Sequence, residues 1–394
     1  VLVSAATRDL AVDQTGEHFA FRPLGEHQLR DLARPERVFQ LLDPDLPAEF
    51  PPLRTSAPKH NLPIILSPFI GRASEIADLF DAVQSERLVT VVGAGGAGKT
   101  RLAHQTAAAM LDGFDGGVVW VEFAAVAPSG AVDAVRQAFG FPDRAAGQLA
   151  TDVARFVDGR SALLVLDNCE HLVDEAAEIC AELLAAAPTL RILATSRRSL
   201  DLPGERTWRI PPLSMPPADR TEPLEALSQY DAVTLFADRA VRSRPNFRLN
   251  ADNAPAVAEI VHRLDGMPLA LELAAARVRT LSPQQILNGL GDAFRLLTGG
   301  SRVLLPRQQT LETSILWSYE LLDPTEQRLL RHLSAFAGSS TLDAIEAVCA
   351  DGDLDVSKVL DTLDRLVDHS LVQVVDGDQH RYLLLETVRQ FAAR

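Results

Sequence analysis

A lysine, a threonine, an aspartate and an arginine, spread over about a hundred residues, have the types and spacing to handle a polyphosphate. The stretch LVTVVGAGGAGKTRLAHQ, Leu88 to Gln105, carries the first two. Gly93, Gly98, Lys99 and Thr100 spell GxxxxGK[ST]: consecutive backbone N–H groups at a helix N-terminus cradle phosphates, a compact ammonium sits between them, and a hydroxyl meets a metal ion. A second fingerprint overlaps the first, because Gly93, Gly95 and Gly98 also spell GxGxxG. With Glu122 lying 24 residues beyond Gly98, the same loop reads as a dinucleotide site whose distant acid holds a ribose.

The downstream strands decide between them. SALLVLDNCEH, Ser161 to His171, is an apolar run that ends in an acid, and a buried strand of that kind aims Asp167 at the metal of a phosphate loop. RILATSRR, Arg191 to Arg198, is a second such run, delivering Arg197 to where a guanidinium reaches a γ-phosphate. A dinucleotide site leaves Lys99, Thr100, Asp167 and Arg197 without a role. The pattern therefore favours a nucleoside triphosphate and Mg²⁺ over NAD. Gly93, Gly95, Gly96, Ala97, Gly98, Lys99, Thr100 and Arg101 are the expected phosphate contacts, Thr100 and Asp167 the metal ligands, and Lys99, Asp167, Glu170 and Arg197 the catalytic set. Glu170 is the candidate for positioning the attacking water. Asn168 stands where many ATPases place a second acid, which weakens the case for fast hydrolysis.

Lys99 also stands out by composition. The chain has only Lys59, Lys99 and Lys358 against 35 arginines, and an arginine fork does not replace an ammonium between phosphates. The 394 residues are 47% hydrophobic and 23% charged, ordinary for folded protein and enough for several domains. A net charge of −15 argues against binding a phosphate backbone. No apolar run is long enough to span a bilayer and no leader is evident, so a cytoplasmic location is the default expectation. Cys169, Cys180 and Cys349 are too few and too far apart for a disulfide framework and read as buried thiols. The chain starts at Val and stops inside a helical pattern, so it is expected to be part of a longer protein.

Five expected strands, at 88–92, 117–123, 162–166, 191–195 and 206–210, alternate with helices at 99–111, 130–139 and 172–187, the texture of a parallel sheet covered by helices. Helical spacing then takes over, at 228–243, 252–264 and 268–279. Further helices are expected at 310–322, 324–336, 342–349 and 356–368. They precede an apolar hairpin turning at Asp376-Gly377, and together these suggest a winged helix. Upstream, VFQLLDP reads as a strand, LGEHQLRDL as a short helical connector, and the prolines at 44, 47, 51, 52, 58 and 63 as an extended linker. The expected division is 1–45, a remnant of another domain; 46–66, linker; 67–215, nucleotide core; 216–305, helical lid; and 306–394, winged helix.

From Ser67 to Arg394 the chain resembles the STAND class of P-loop ATPases, related to AAA+ and NB-ARC proteins. GAGGAGKT resembles Walker A, LLVLDN Walker B and ATSR the sensor 1 strand end. FIGR, Phe69 to Arg72, resembles the motif that closes over the adenine, which implies Ile70 and Gly71 as cofactor contacts. DGMPLALELAA resembles the GxP motif, which implies Pro268 against the base. QQTLETSILWSYELLDPTEQRLLRHLSAFAG resembles the start of the winged-helix unit in bacterial regulators. In NB-ARC relatives an MHD histidine touches the phosphates, whereas LLLETVRQFA puts Leu385 at that position and the offset of His369 does not match. AATRDL with FRPLGEHQLRDLARPERVFQLLDPDLP resembles the tail of a class III nucleotidyl cyclase domain, without the upstream carboxylates that cyclase activity needs.

The resemblance implies ATP or ADP with Mg²⁺, slow hydrolysis, and a switch in a transcriptional regulator that answers an unidentified effector protein or ligand and self-associates on activation. Two alternatives remain: a high-turnover ATPase or phosphotransferase, and a regulator reading DNA through the winged helix. From Thr310 to Arg394 there are seven Lys and Arg against fifteen Asp and Glu, a formal −8. That charge predicts no nucleic-acid binding by this segment. No membrane partner is expected.

Overall fold

A computed structural model describes residues 1–12, 19–27, 36–43, 60–141, 149–217, 222–290, 311–350, 354–375 and 379–394. At the N-terminus, β1 (Leu2–Ser4), α1 (Ala5–Ala11), β2 (Ala20–His27) and β3 (Glu36–Leu42) make a small antiparallel sheet in the order β1-β3-β2. Residues 24 to 27, expected as the start of a helical connector, instead continue β2. A register shift between Pro23 and Gly25, where Gly25 takes a positive φ of 102°, bends the strand without ending it. The rest of that connector, and the proline-rich run through residue 59, lie outside the described residues. The end of the expected linker docks on the sheet. His60 forms a bridge to Val118, and the Asn61 side chain both accepts from the Trp120 N–H (2.6 Å) and donates to its carbonyl (2.9 Å).

Next come α2 (Ala73–Ser85), β4 (Leu88–Val92), α3 (Lys99–Ala109), β5 (Gly117–Glu122), α4 (Ala131–Ala138), α5 (Leu149–Val157), β6 (Ala162–Asp167), α6 (Val173–Ala186), β7 (Leu190–Ser196) and β8 (Glu205–Arg209). The five strands are parallel, in the order β5-β6-β7-β4-β8. Alternation along each strand divides its side chains between two cores. Val89, Val91, Leu163, Val165 and Leu193 pack with Leu79 of α2 and Leu102 of α3, while Leu88, Leu164, Leu166, Ile192 and Ala194 pack with α4, α5 and α6. Each fully buried Leu or Val contributes roughly 1.5–3 kcal/mol of transfer free energy. The same alternation fixes chemistry: counting on by twos from Leu163 and from Leu193 places Asp167 and Thr195 on the α3 side, where Lys99 and Thr100 begin their helix.

The remaining helices are α7 (Leu224–Leu227), α8 (Asp231–Ser243), α9 (Ala254–Arg263), α10 (Pro268–Ala276), α11 (Pro283–Gly289), α12 (Leu311–Glu320), α13 (Pro324–Leu333), α14 (Leu342–Cys349), α15 (Val356–Asp368) and α16 (Glu386–Ala392), with the hairpin β9 (Val372–Val375) and β10 (Arg381–Leu384) before the last of them. The hairpin's Asp376-Gly377 turn lies outside the described residues. The helix starts are set locally: Ser282 with Gln285, and Asp323 with Glu326, form capping boxes, and Pro268 opens α10 at its first turn. The helix expected over 268–279 closes at Ala276 and gives way to a tighter turn at Arg277–Arg279. Lid and winged helix share one apolar core, running from Leu213 through Phe236 and Leu271 to Leu330, Leu366 and Val388. All three cysteines are buried free thiols. No helix among the described residues is long and apolar enough to cross a membrane.

Candidate nucleotide-binding site

The loop between β4 and α3 closes on glycine geometry. Gly96 and Gly98 hold φ of 82° and 93°, conformations that L side chains rarely adopt. A Cβ on Gly96 would stand 2.8 Å from the Cβ of Leu269, so the lid helix α10 rests directly on the loop. The Leu269 N–H donates to the Gly96 carbonyl at 3.2 Å, and a Cβ on Gly98 would meet Pro268 at 3.7 Å. The structure thus places Pro268 beside the phosphate loop. Gly93 is held close on the other side, where Ile210 leaves no room for a Cβ.

Lys99 is 8% exposed, and its Nζ donates to the carbonyls of Gly93 (2.7 Å) and Ala94 (3.1 Å). The Thr100 hydroxyl donates to Asp167 Oδ1 at 2.8 Å, Thr195 donates to the same oxygen at 2.5 Å, and the Asn168 amide donates to Oδ2 at 3.0 Å. Burial pushes the Asp167 carboxyl up to about 6 against the pull of the two hydroxyls, and Glu170 and Glu122 push in the same direction as burial. Thr100 and Asp167 present hard oxygen donors within one hydrogen bond of each other, the donor chemistry Mg²⁺ takes when phosphates complete its shell. Among the described residues no group of three or more His, Cys, Asp and Glu is placed to hold a metal.

A cavity of about 260 Å³ runs from Phe69, Ile70 and Leu235 past Gly96, Lys99 and Thr100 to Glu170 and Arg197. It gathers the core, the lid and the strand-end arginine around one space. Arg197 is 4% exposed. Its Nε lies 3.5 Å from Glu170 Oε1, its guanidinium donates to the Ser318 hydroxyl of α12, and its carbonyl accepts from Ser370 at 2.9 Å. Glu170 is therefore ion-paired to Arg197, and Arg197 joins the nucleotide core to the winged helix.

Arg101 lines the cavity, but its guanidinium is engaged by Ser67 Oγ (2.6 Å) and the carbonyls of Ser67 and Pro68. It fixes the wall of the site. Arg239 of α8 reaches the same Pro68 carbonyl at 3.4 Å while pairing with Glu272 of α10 at 2.9 Å. Reasoning from sequence missed Arg72, whose Nη2 spans the carbonyls of Ala97 (3.1 Å) and Pro211 (2.9 Å). It also missed Asp231, Arg239, Glu272 and Ser318. Arg72 stands in the FIGR motif and Glu272 in DGMPLALELAA, so both could have been found; Asp231, Arg239 and Ser318 lie in helical stretches whose local sequence gives no signal of the pairing.

Gly71 sets the seam between core and lid. With φ at 70°, a Cβ there would fall 2.1 Å from Cγ of Asp231, whose Oδ2 accepts the Arg72 N–H at 2.9 Å. Gly71→Ala is expected to cost on the order of 1–3 kcal/mol and to lower the unfolding temperature by several degrees. An unchanged melt would contradict this account of the seam.

The fold, the glycine loop and the acid and arginine on neighbouring strands define a P-loop NTPase. Residues 73–203 match the NB-ARC domain and residues 322–394 a winged helix-turn-helix domain. Over 331 residues the chain is 41% identical to an uncharacterized protein of Mycobacterium tuberculosis, Rv0894, covering 83% of this chain and 81% of that one. It belongs to that family, an NB-ARC P-loop NTPase with a C-terminal winged helix. It is also 49% identical over 308 residues to Rv0890c of M. tuberculosis, which carries the name of an HTH-type transcriptional regulator, covering 78% of this chain and 33% of the relative. With the regulatory protein AfsR of Streptomyces griseus it shares 28% identity over 400 residues, 96% of this chain and 37% of AfsR. The chain thus spans about a third of the length of these two regulators.

Proposed function

We propose that this chain is the ATP-binding switch of a multidomain transcriptional regulator, closed with ADP, open with ATP, and slow to hydrolyse. The observation that carries the reading is the position of Arg197, on the wall of the candidate nucleotide cavity and at the same time in contact with the winged helix through Ser318 and Ser370. A γ-phosphate entering that cavity competes for the guanidinium with Glu170 and Ser318, and such competition shifts a two-state packing. Lys99 would contact the β- and γ-phosphates, Thr100 and Asp167 would hold Mg²⁺, Ile70, Gly71 and Pro268 would border the adenine, and Glu170 would position water once Arg197 has moved. The ion supplies charge neutralisation at the phosphate oxygens. Asn168 beside Asp167 supports low intrinsic turnover, against a motor or phosphotransferase.

Residues 1–45 fit a remnant of a cyclase-like domain with no activity of its own. The winged-helix name raises duplex DNA as a partner; the −8 charge of residues 310–394 disfavours a duplex on this segment and supports the reading that DNA contacts lie elsewhere in a longer protein. The test is to purify the chain, denature it and identify what is released. ADP or ATP is the expected product. Release of NAD without adenine di- or triphosphate would overturn the reading.

A further inference from the structure

A second cavity, of about 300 Å³, opens between the nucleotide core and the winged helix. Glu170 and Arg197 line both this space and the candidate nucleotide cavity, so the two lie back to back across that ion pair. The core supplies Arg198, just past the end of β7. The winged helix supplies Leu321, Asp323 and Glu326 from around the start of α13, with Arg365 and His369 from the end of α15. The volume is at the lower end of what small-molecule sites use.

The acids lining this cavity are already committed. Glu170 faces Arg197 at 3.5 Å. Glu326, 4% exposed, accepts the Asp323 N–H at 2.9 Å and the Arg365 Nε–H at 2.7 Å. Asp323 caps α13, its Oδ1 accepting the N–H groups of Thr325 (2.7 Å) and Glu326 (2.8 Å). The bases are not matched in the same way. Among the described residues no hydrogen bond or ion pair engages the Arg198 guanidinium or the His369 ring, and both residues are half-buried. Polar groups withdrawn from water are normally partnered, and here the two left over are both basic. Burial holds the His369 imidazole below its ordinary range, and Arg198 and Arg197 press the same way against Glu326 and Asp368. An anion set between Arg198 and the ring reverses that pressure. Leu321, 40% exposed, adds an apolar stretch of wall.

We propose that this cavity is a second binding site, for a small organic anion whose phosphate or carboxylate head is held between Arg198 of the core and His369 and Arg365 of the winged helix, its short apolar stem lying on Leu321. A guanidinium fork suits either head group. That such a ligand acts on a nucleotide switch rests on the reading given above; its binding does not.

Calorimetric titration of the whole nucleotide-free chain with butyl phosphate and with pentanoate tests the site. At least one is expected to bind with a dissociation constant below about 1 mM, and the tighter of the two identifies the head group. Butanol, the stem without the charge, should give no measurable binding. Arg198→Ala is expected to weaken the tighter probe at least tenfold, and His369→Gln severalfold. Arg155→Ala, which removes an equal charge from the exposed side of α5, should stay within about twofold of wild type. Since the Arg198 side chain holds no other group in place, its variant should melt with the wild type; if it melts lower, His369→Gln decides alone. Affinities for both anions weaker than about 1 mM, or binding undiminished in these variants, which would put the probe at the glycine loop instead, overturn the proposal. Because no nucleotide is present, failure of the ATP reading leaves this result intact.

Discussion

Lys99→Ala should weaken binding of adenosine triphosphate at least a hundredfold, while the unfolding temperature of the nucleotide-free protein moves by only a few degrees. The two effects separate because the ammonium has a substitute partner when no phosphate is present. Its Nζ then satisfies the carbonyls of Gly93 and Ala94, and deleting it leaves those oxygens beside a cavity that water can enter, at a cost near 1 kcal/mol each. Against a triphosphate the same group supplies charge-assisted bonds whose loss exceeds about 3 kcal/mol, roughly two decades in affinity. Titration with a fluorescent triphosphate and a thermal melt measure both. Normal affinity in Lys99→Ala would remove the loop from the site.

Asp167→Asn should abolish the Mg²⁺-dependent part of nucleotide affinity and cut hydrolysis by about a hundred- to a thousandfold, the range expected when a transition-state charge contact is lost. The variant is chosen for shape. The amide oxygen still accepts from Thr100 and Thr195, which now meet Asp167 Oδ1 at 2.8 and 2.5 Å, and the new NH2 group, in place of the Oδ2 that accepts from Asn168, is met by the Asn168 oxygen after a flip of that amide, so folding is preserved while the charge at the metal position disappears. Affinities measured with and without Mg²⁺ give the result directly. An undiminished Mg²⁺ enhancement would show that the ion is held elsewhere.

Most of the core architecture was legible in the sequence because it is written in short-range patterns. β-branched and leucine runs marked all five strands to within a residue or so at each end. What the sequence hid is pairing over distance. Arg197 meets Ser318 across 121 residues and Arg72 meets Pro211 across 139, and neither partner has a local signature, since a serine on α12 or a carbonyl before a proline looks the same in any setting. Arg101 shows the same limit: its place after Lys99-Thr100 suggested a phosphate contact and it does line the cavity, but its guanidinium is held by Ser67 and Pro68, a pairing across more than thirty residues that the motif does not signal. The reading of residues 24 to 27 as helical failed for another reason: a glycine bulge lets a strand tolerate a sequence that does not alternate.

The arginine excess has a structural counterpart. Arg87 caps the end of α6 on the carbonyls of Leu184 and Ala187, Arg191 caps α2 on those of Val83 and Glu86, and Arg160 caps α5 on those of Phe156 and Val157. Arg72 caps no helix but bridges two loops, donating to the carbonyls of Ala97 and Pro211. Arg87, Arg160 and Arg191 stand at the starts of β4, β6 and β7, the end of the sheet opposite the cavity, and a guanidinium keeps its proton throughout the range in which proteins fold, so that end is stapled by charges that acid and base do not alter. Against so constant a background, burial raises the Asp167 and Asp265 carboxyls toward neutrality, so the desolvation that leaves the guanidiniums charged brings these two acids within reach of a proton.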